Sequence, residues 1–159
     1  GWKGPLDTYL RSTFTLSTPM IAFGPAPRAE DLNQHSRERF GHYARIYKKF
    51  IRPLLPTCRM YHHAPVTSRG GVGASGWFAV EFAAPDRSQG WATIVRIGPS
   101  DRDTYRLVPR GLHRDRTYQV TFDSTGEQAT IDGLRLAQEG LDIRLEAAMS
   151  SELLLFDAQ

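Results

Sequence analysis

From Thr57 to Asp157 the chain is cut into short apolar segments by turn residues, and that spacing leaves few architectures open. Segments near 58–64, 77–83, 90–98, 104–109, 117–123, 127–131, 141–147 and 152–156 have strand length and strand composition. In "GWFAVEFA" the alternation puts Trp77, Ala79 and Glu81 on one face and Phe78, Val80 and Phe82 on the other. In "GWATIVRI" it is less clean, as expected of a strand covered on both faces. "DSTGEQ" and "IDGL" read as hairpin turns, with Gly126 and Gly133 free to take positive φ. Many short strands at this interval predict a mainly β chain, an antiparallel β-sandwich of about eight strands.

Before this region the texture changes. Residues 1–56 read as a helical or irregular arm and residues 57–159 as the sandwich. In "EDLNQHSRERFGHYARIYKKFIRPLLP", Phe40, Tyr43, Tyr47, Phe50 and Leu54 step by three and four, which is the stripe of an amphipathic helix. Glu30 and Asp31 suit its positive end, and Pro53 and Pro56 are expected to stop it. Upstream, "STFTLSTPMIAFGP" fits either a strand or a packed helix. A stripe as long as Phe40–Leu54 needs cover. If no other body supplies it, the helix must fold back onto the sandwich or pair with a second copy.

The 159 residues suffice for one core, and 40% apolar with 23% charged residues is ordinary for a soluble protein. No apolar run approaches the roughly 20 residues of a membrane span, and no signal peptide is visible. A single cysteine, Cys58, excludes an intrachain disulfide and reads as a small buried hydrophobe. The net charge of +3 is too mild for a nucleic-acid partner. Arg37, Arg39, Arg45, Lys48, Lys49 and Arg52 read as a solvated helix face, and the lone "RGG" at 69–71 as a loop.

Candidate chemistry is sparse. His62 and His63 point to opposite sides of a strand, and His35, His42 and His113 lack ligand spacing, so no metal and no cofactor is expected. Asp101 and Asp103 sit among turn formers. Glu81, inside a strand, is the most interesting acid, and an inward pose would demand a partner such as an arginine. "GGVGASG" at 70–76 precedes no helix and does not make a phosphate cradle. Trp77 and Trp91, with Tyr61 and Tyr105, could form a carbohydrate-stacking platform or fill the core. No set of residues makes a complete catalytic constellation.

The order of these pieces carries a resemblance. "YARIYKKFIRPLL" runs into "CRMYHHAPV", then come "GWFAVEFAAPDRSQGWATIVRI", "YRLVPRGLHRDRTYQVTFD", "GLRLAQEGLDIRL" and "SSELLLFDA". Over residues 36–157 this resembles the C-terminal end of the melibiase-like α-galactosidases of glycoside hydrolase family 36. The pattern is carried by Tyr47-Lys48 with Arg52, Ala84-Pro85-Asp86 with Trp91-Ala92, and Gly111-Leu112 with Tyr118 and Val120. It continues with Gly133, Leu136, Gly140-Leu141, Ser151 and Leu153. The resemblance implies that the arm is the end of a catalytic (β/α)8 barrel and that the sandwich packs on that barrel. It also implies that the chain is the tail of a larger retaining hydrolase of α-glycosides. In that family two aspartates on barrel strands do the chemistry. Neither motif occurs here, so no catalytic residue is carried over. The partners expected are the barrel, a second copy of the chain, or a carbohydrate.

Overall fold

A computed structural model describes residues 6–16, 33–63, 76–98 and 102–159. Helix α1 is Leu6–Thr15. Helix α2, Gln34–Ile46, continues through a π turn, Tyr47–Ile51, into the short α3, Arg52–Leu54. Strands follow as β1 (Arg59–His62), β2 (Trp77–Ala83), β3 (Gln89–Arg96), β4 (Thr104–Leu107), β5 (Thr117–Phe122) and β6 (Gln128–Asp132). Helix α4 (Gly133–Gln138), β7 (Leu141–Arg144) and β8 (Ser150–Ala158) complete the chain. No helix among the described residues is long and apolar enough to cross a membrane.

Six strands form one antiparallel sheet in the order β1-β2-β3-β8-β5-β6, and β4 pairs with β7 in a second sheet. The larger sheet is covered on both faces. On one, Trp77, Ala79, Ile94, Tyr118, Leu154 and Phe156 meet Leu107 and Ile143 of the small sheet and Leu136 of α4. On the other, Val80, Phe82, Trp91 and Leu153 meet Leu10 and Phe14 of α1, Tyr43 of α2 and Ile51 of the π turn. This is a β-sandwich with its helical arm folded back on the outer face of the large sheet. The double cover explains β3, whose residues from Gly90 to Val95 are all buried. Phe82 and Trp91 are register partners across β2 and β3, and their rings stack at 4.7 Å and 11°.

Local rules account for the arm. The Asn33 side chain accepts the backbone N–H of Ser36 and caps α2; Glu30 and Asp31 lie outside the described residues. The helix ends at Leu54, before Pro56 as expected, but its last turn contains Pro53. It lacks an N–H, and its ring would crowd the carbonyl four residues earlier. The π turn absorbs this: the Arg52 N–H bonds to Tyr47 O, five residues back, and the helix runs on to Leu54. Upstream, residues 12–15 of "STFTLSTPMIAFGP" are the end of α1, while Met20–Phe23 lie outside the described residues.

The "IDGL" stretch is also corrected. It opens α4 and makes no hairpin. Gly133 is required there for closeness, since a Cβ would stand 2.0 Å from the His113 carbonyl oxygen. Gly126 does take a positive φ, 73°, in the β5–β6 turn.

Candidate functional site

The densest buried chemistry lies where α1 and α2 meet the sheet. The apolar stripe of α1 brings Leu10 and Phe14 down onto the sheet, and Arg11 goes down with them, 3% exposed. Its guanidinium donates to Asp123 Oδ2 (2.7 Å), Ser124 Oγ (2.9 Å), the Ser151 carbonyl and Ser151 Oγ (3.2 Å). Asp123 follows directly on β5, where the chain turns, and its side chain is 4% exposed. There it also accepts the Tyr43 hydroxyl at 3.1 Å, and His42 Nε2 stands 2.5 Å from its Oδ1. Burial pushes the Asp123 carboxyl up, but the hydrogen bonds from Arg11 and His42 outweigh it and hold the group below the usual carboxylate range. Burial pushes the Tyr43 phenol well above its ordinary value.

Around this pair the polar groups are matched one by one. Glu152 accepts from the backbone and hydroxyl of Ser124, both at 3.0 Å, and lies 3.7 Å from Arg11. Thr8 donates to Ser151 Oγ at 2.9 Å, Thr15 and Thr93 share a hydrogen bond of 2.6 Å, and Trp91 Nε1 donates to the Thr15 carbonyl at 2.7 Å. At the rim, Arg39 reaches Asp7 at 2.7 Å and the Tyr43 hydroxyl at 3.0 Å. Two helices and strands β3, β5 and β8 therefore share one continuous polar network under an apolar cover. Chemically it is a fastening. Asp123 is held ionised by permanent donors, and neither it nor Glu152 has an open face toward a substrate.

A second buried acid works the same way at the opposite edge of the sheet. Glu81 is fully buried. Its inward pose does demand partners, and no arginine side chain is among them in the described residues. They are His63 Nε2 at 2.6 Å and the backbone N–H groups of Arg110 (2.9 Å) and Gly111 (2.8 Å). Arg110 contributes through its backbone, while its guanidinium donates to the His62 carbonyl and sits over the Tyr61 ring at 5.4 Å. Gly111 is the one residue that fits this clamp: a Cβ would lie 2.3 Å from the Ala83 Cβ and 2.9 Å from Glu81 Oε1.

The remaining candidates fall elsewhere. Trp91 is wholly buried beneath the helices and Trp77, 6% exposed, is buried on the opposite face of the sheet. The two indoles are thus separated by the sheet and turn no open ring to solvent. Tyr105 packs against Trp77 at 5.6 Å. Asp103 pairs with Arg144 at 2.8 Å, and Asp101 lies outside the described residues, as does "GGVGASG" up to Ser75. His62 is exposed at the end of β1 while His63 turns inward. Burial raises the Cys58 thiol above its ordinary range, which keeps it a weak nucleophile. Arg11, Asp123 and Glu152 escaped the sequence reading. Arg11 is one basic residue in a helix and Asp123 is a common turn former, so neither announces a long-range partner.

The profile of the glycosyl hydrolase family 36 C-terminal domain matches residues 77–156. No curated protein matches the chain. Among solved structures, the family 36 α-galactosidase AgaA of Geobacillus stearothermophilus superposes with a TM-score of 0.64 at 17% identity, over 82% of this chain and 17% of that one. The α-galactosidase of Lactobacillus brevis gives 0.64 at 14% identity, over 82% and 17%. The galactosidase domain of the α-galactosidase-sucrose kinase AgaSK gives 0.62 at 17% identity, over 84% and 17%. At these identities the likeness is one of fold, and this chain spans less than a fifth of each relative's length. Residues from Trp77 onward are about half of this chain, so these superpositions extend into the part before it.

Proposed function

This chain belongs to glycosyl hydrolase family 36, and we propose that it is the non-catalytic C-terminal portion of an α-galactosidase-like enzyme. In this reading residues 1–56 are the last segments of the catalytic barrel and residues 57–159 are the sandwich that packs on it. The parent protein hydrolyses α-glycosidic bonds with retention, and the barrel is the partner of this chain. The observation that carries the reading is the Arg11–Asp123 network, which ties both helices to three strands of the sandwich through buried, fully partnered polar groups. A domain that only stood beside the arm would not need a buried ion pair to hold it. The work of the sandwich is mechanical: it fixes the closing helices and covers their apolar stripe. Contacts between copies of the parent enzyme would be a secondary task of the same domain.

The test is hydrolysis of a chromogenic α-galactoside by the purified chain, beside a panel of other aryl glycosides. The expected result is no turnover above blank. Turnover that follows the protein through purification and disappears in Glu81→Gln would overturn the reading and make the chain an enzyme in its own right.

A further inference from the structure

Beside the Glu81 clamp, at the end of the sandwich, lies a cavity of about 600 Å³ that the network above does not use. Its walls are the β2–β3 hairpin loop and the segment before β5. Arg87, Arg110, Arg114 and His113 line it, with Asp115 as the one acid and Leu112 among its apolar residues. Arg87 and Arg114 are solvent-exposed at its edge, while the Arg110 guanidinium is engaged by the His62 carbonyl. Among the described residues the guanidinium groups of Arg87 and Arg114 have no hydrogen-bond or ion-pair partner.

Both walls are built rigidly. The hydroxyl of Tyr118, itself buried, donates to the Arg87 carbonyl at 2.6 Å and accepts the His113 N–H at 2.8 Å, joining the two loops. Glu81 fixes Arg110 and Gly111 from below, and Gly133 lets α4 approach the His113 carbonyl closely. Arg87 also adopts φ 60°. The turn explains the backbone: Arg87 N–H closes on the Ala84 carbonyl at 2.9 Å, and a left-handed residue then carries the chain into β3. It does not explain the residue, because glycine or asparagine takes this conformation at lower cost. An arginine held there places a charged residue in the cavity's lining.

We infer that this cavity is a binding site for a small carbohydrate bearing a carboxylate or phosphate group. The guanidinium forks of Arg87 and Arg114 match the oxyanion in geometry and charge. The volume lies in the range of small-molecule sites and exceeds the needs of a bare ion. Val108, an exposed apolar residue of the lining, offers the apolar surface that a sugar ring's C–H groups require. The preformed loops keep the ordering cost of binding low.

The experiment is an amide NMR titration of the purified chain with galacturonate, galactose 1-phosphate, neutral galactose and inorganic phosphate, in separate arms. At least one anionic sugar is expected to shift the amides of Arg87, His113, Arg114 and Asp115, and the ratio of the two affinities identifies the preferred anion. Neutral galactose should leave them in place, and inorganic phosphate should bind about tenfold more weakly than the better sugar. Arg114→Ala and Arg87→Gly should each weaken binding about tenfold, the loss of one charge-assisted hydrogen bond. Arg87→Gly should leave the melting temperature unchanged or higher, since glycine suits the left-handed backbone. Three results would each overturn the site: no shifts at these amides, phosphate binding as tightly as the sugars (an adventitious ion only), or unchanged affinity in both variants.

Discussion

Replacing Arg11 by methionine asks how much of the arm's attachment rests on one buried charge. Methionine keeps most of the stem's apolar volume and removes the guanidinium. An exposed ion pair would be worth about 0–1 kcal/mol. Here the side chains are 3% and 4% exposed, so the relevant case is a buried pair broken on one side, which costs about 3–5 kcal/mol. Asp123 keeps the Tyr43 hydroxyl and His42, and Ser124 keeps Glu152, so the loss should fall near the lower end, about 3 kcal/mol. That is a large share of the stability of a domain this size. The assay is urea unfolding followed by tryptophan fluorescence, with circular dichroism as a second probe. Trp91 reports the helix-covered face directly, because its Nε1 bonds to the last residue of α1. Asp123→Asn and the double variant complete a cycle, and a coupling of about 1 kcal/mol or more is expected for groups in direct contact. A loss below about 1 kcal/mol for Arg11→Met, or additive behaviour in the cycle, would refute the view that the pair fastens the helices.

Gly111→Ala places a Cβ against Ala83, Glu81 and Tyr61, so the clamp must shift, and a loss of about 2 kcal/mol or more in urea unfolding is expected. Glu81→Gln presents an amide N–H₂ toward donors that now meet carboxylate oxygens, which should cost about 1–3 kcal/mol in urea unfolding. Asp123 has a folded-state pKa below its unfolded value, so its contribution is complete above about pH 4. It should fade as the pH drops toward the folded pKa, loosening the helices before the sandwich, which limited proteolysis between pH 5 and 2.5 would follow.

The strands were legible because their signals are local. Alternation in Trp77–Ala83 and the broken alternation of β3 depend only on which faces are covered. Two helical features were hidden for different reasons. Helix α4 is six residues long and starts at a glycine, and its pattern is set by a close approach to His113 that sequence spacing cannot express. The π turn before Pro53 is a local answer to a steric rule that, taken alone, says the helix should stop. The stripe from Phe40 to Leu54 announced a need for cover, and its cover proved to be the back of the same sheet. The polar network was the least legible part, since Arg11 and Asp123 are 112 residues apart and each looks ordinary in its own neighbourhood.

The placement of the buried acids argues for what kind of domain this is. A catalytic carboxylate needs an open face and freedom to exchange a proton or meet a reacting atom. Glu81, Asp123 and Glu152 are each surrounded by fixed donors: backbone N–H groups, a guanidinium, hydroxyls and imidazoles. Each acid also joins elements distant in sequence: β2 to the segment before β5, β5 to both helices, β8 to the β5–β6 turn. Removing any one would unfasten two parts of the fold, which is the signature of acids used for assembly. The cavity walled by Arg87 and Arg114 has the opposite character, with exposed charged groups that no protein group engages beside a preformed space. The two roles can therefore be separated by mutation: Arg11→Met should disturb unfolding and spare anionic-sugar binding, while Arg87→Gly should do the reverse.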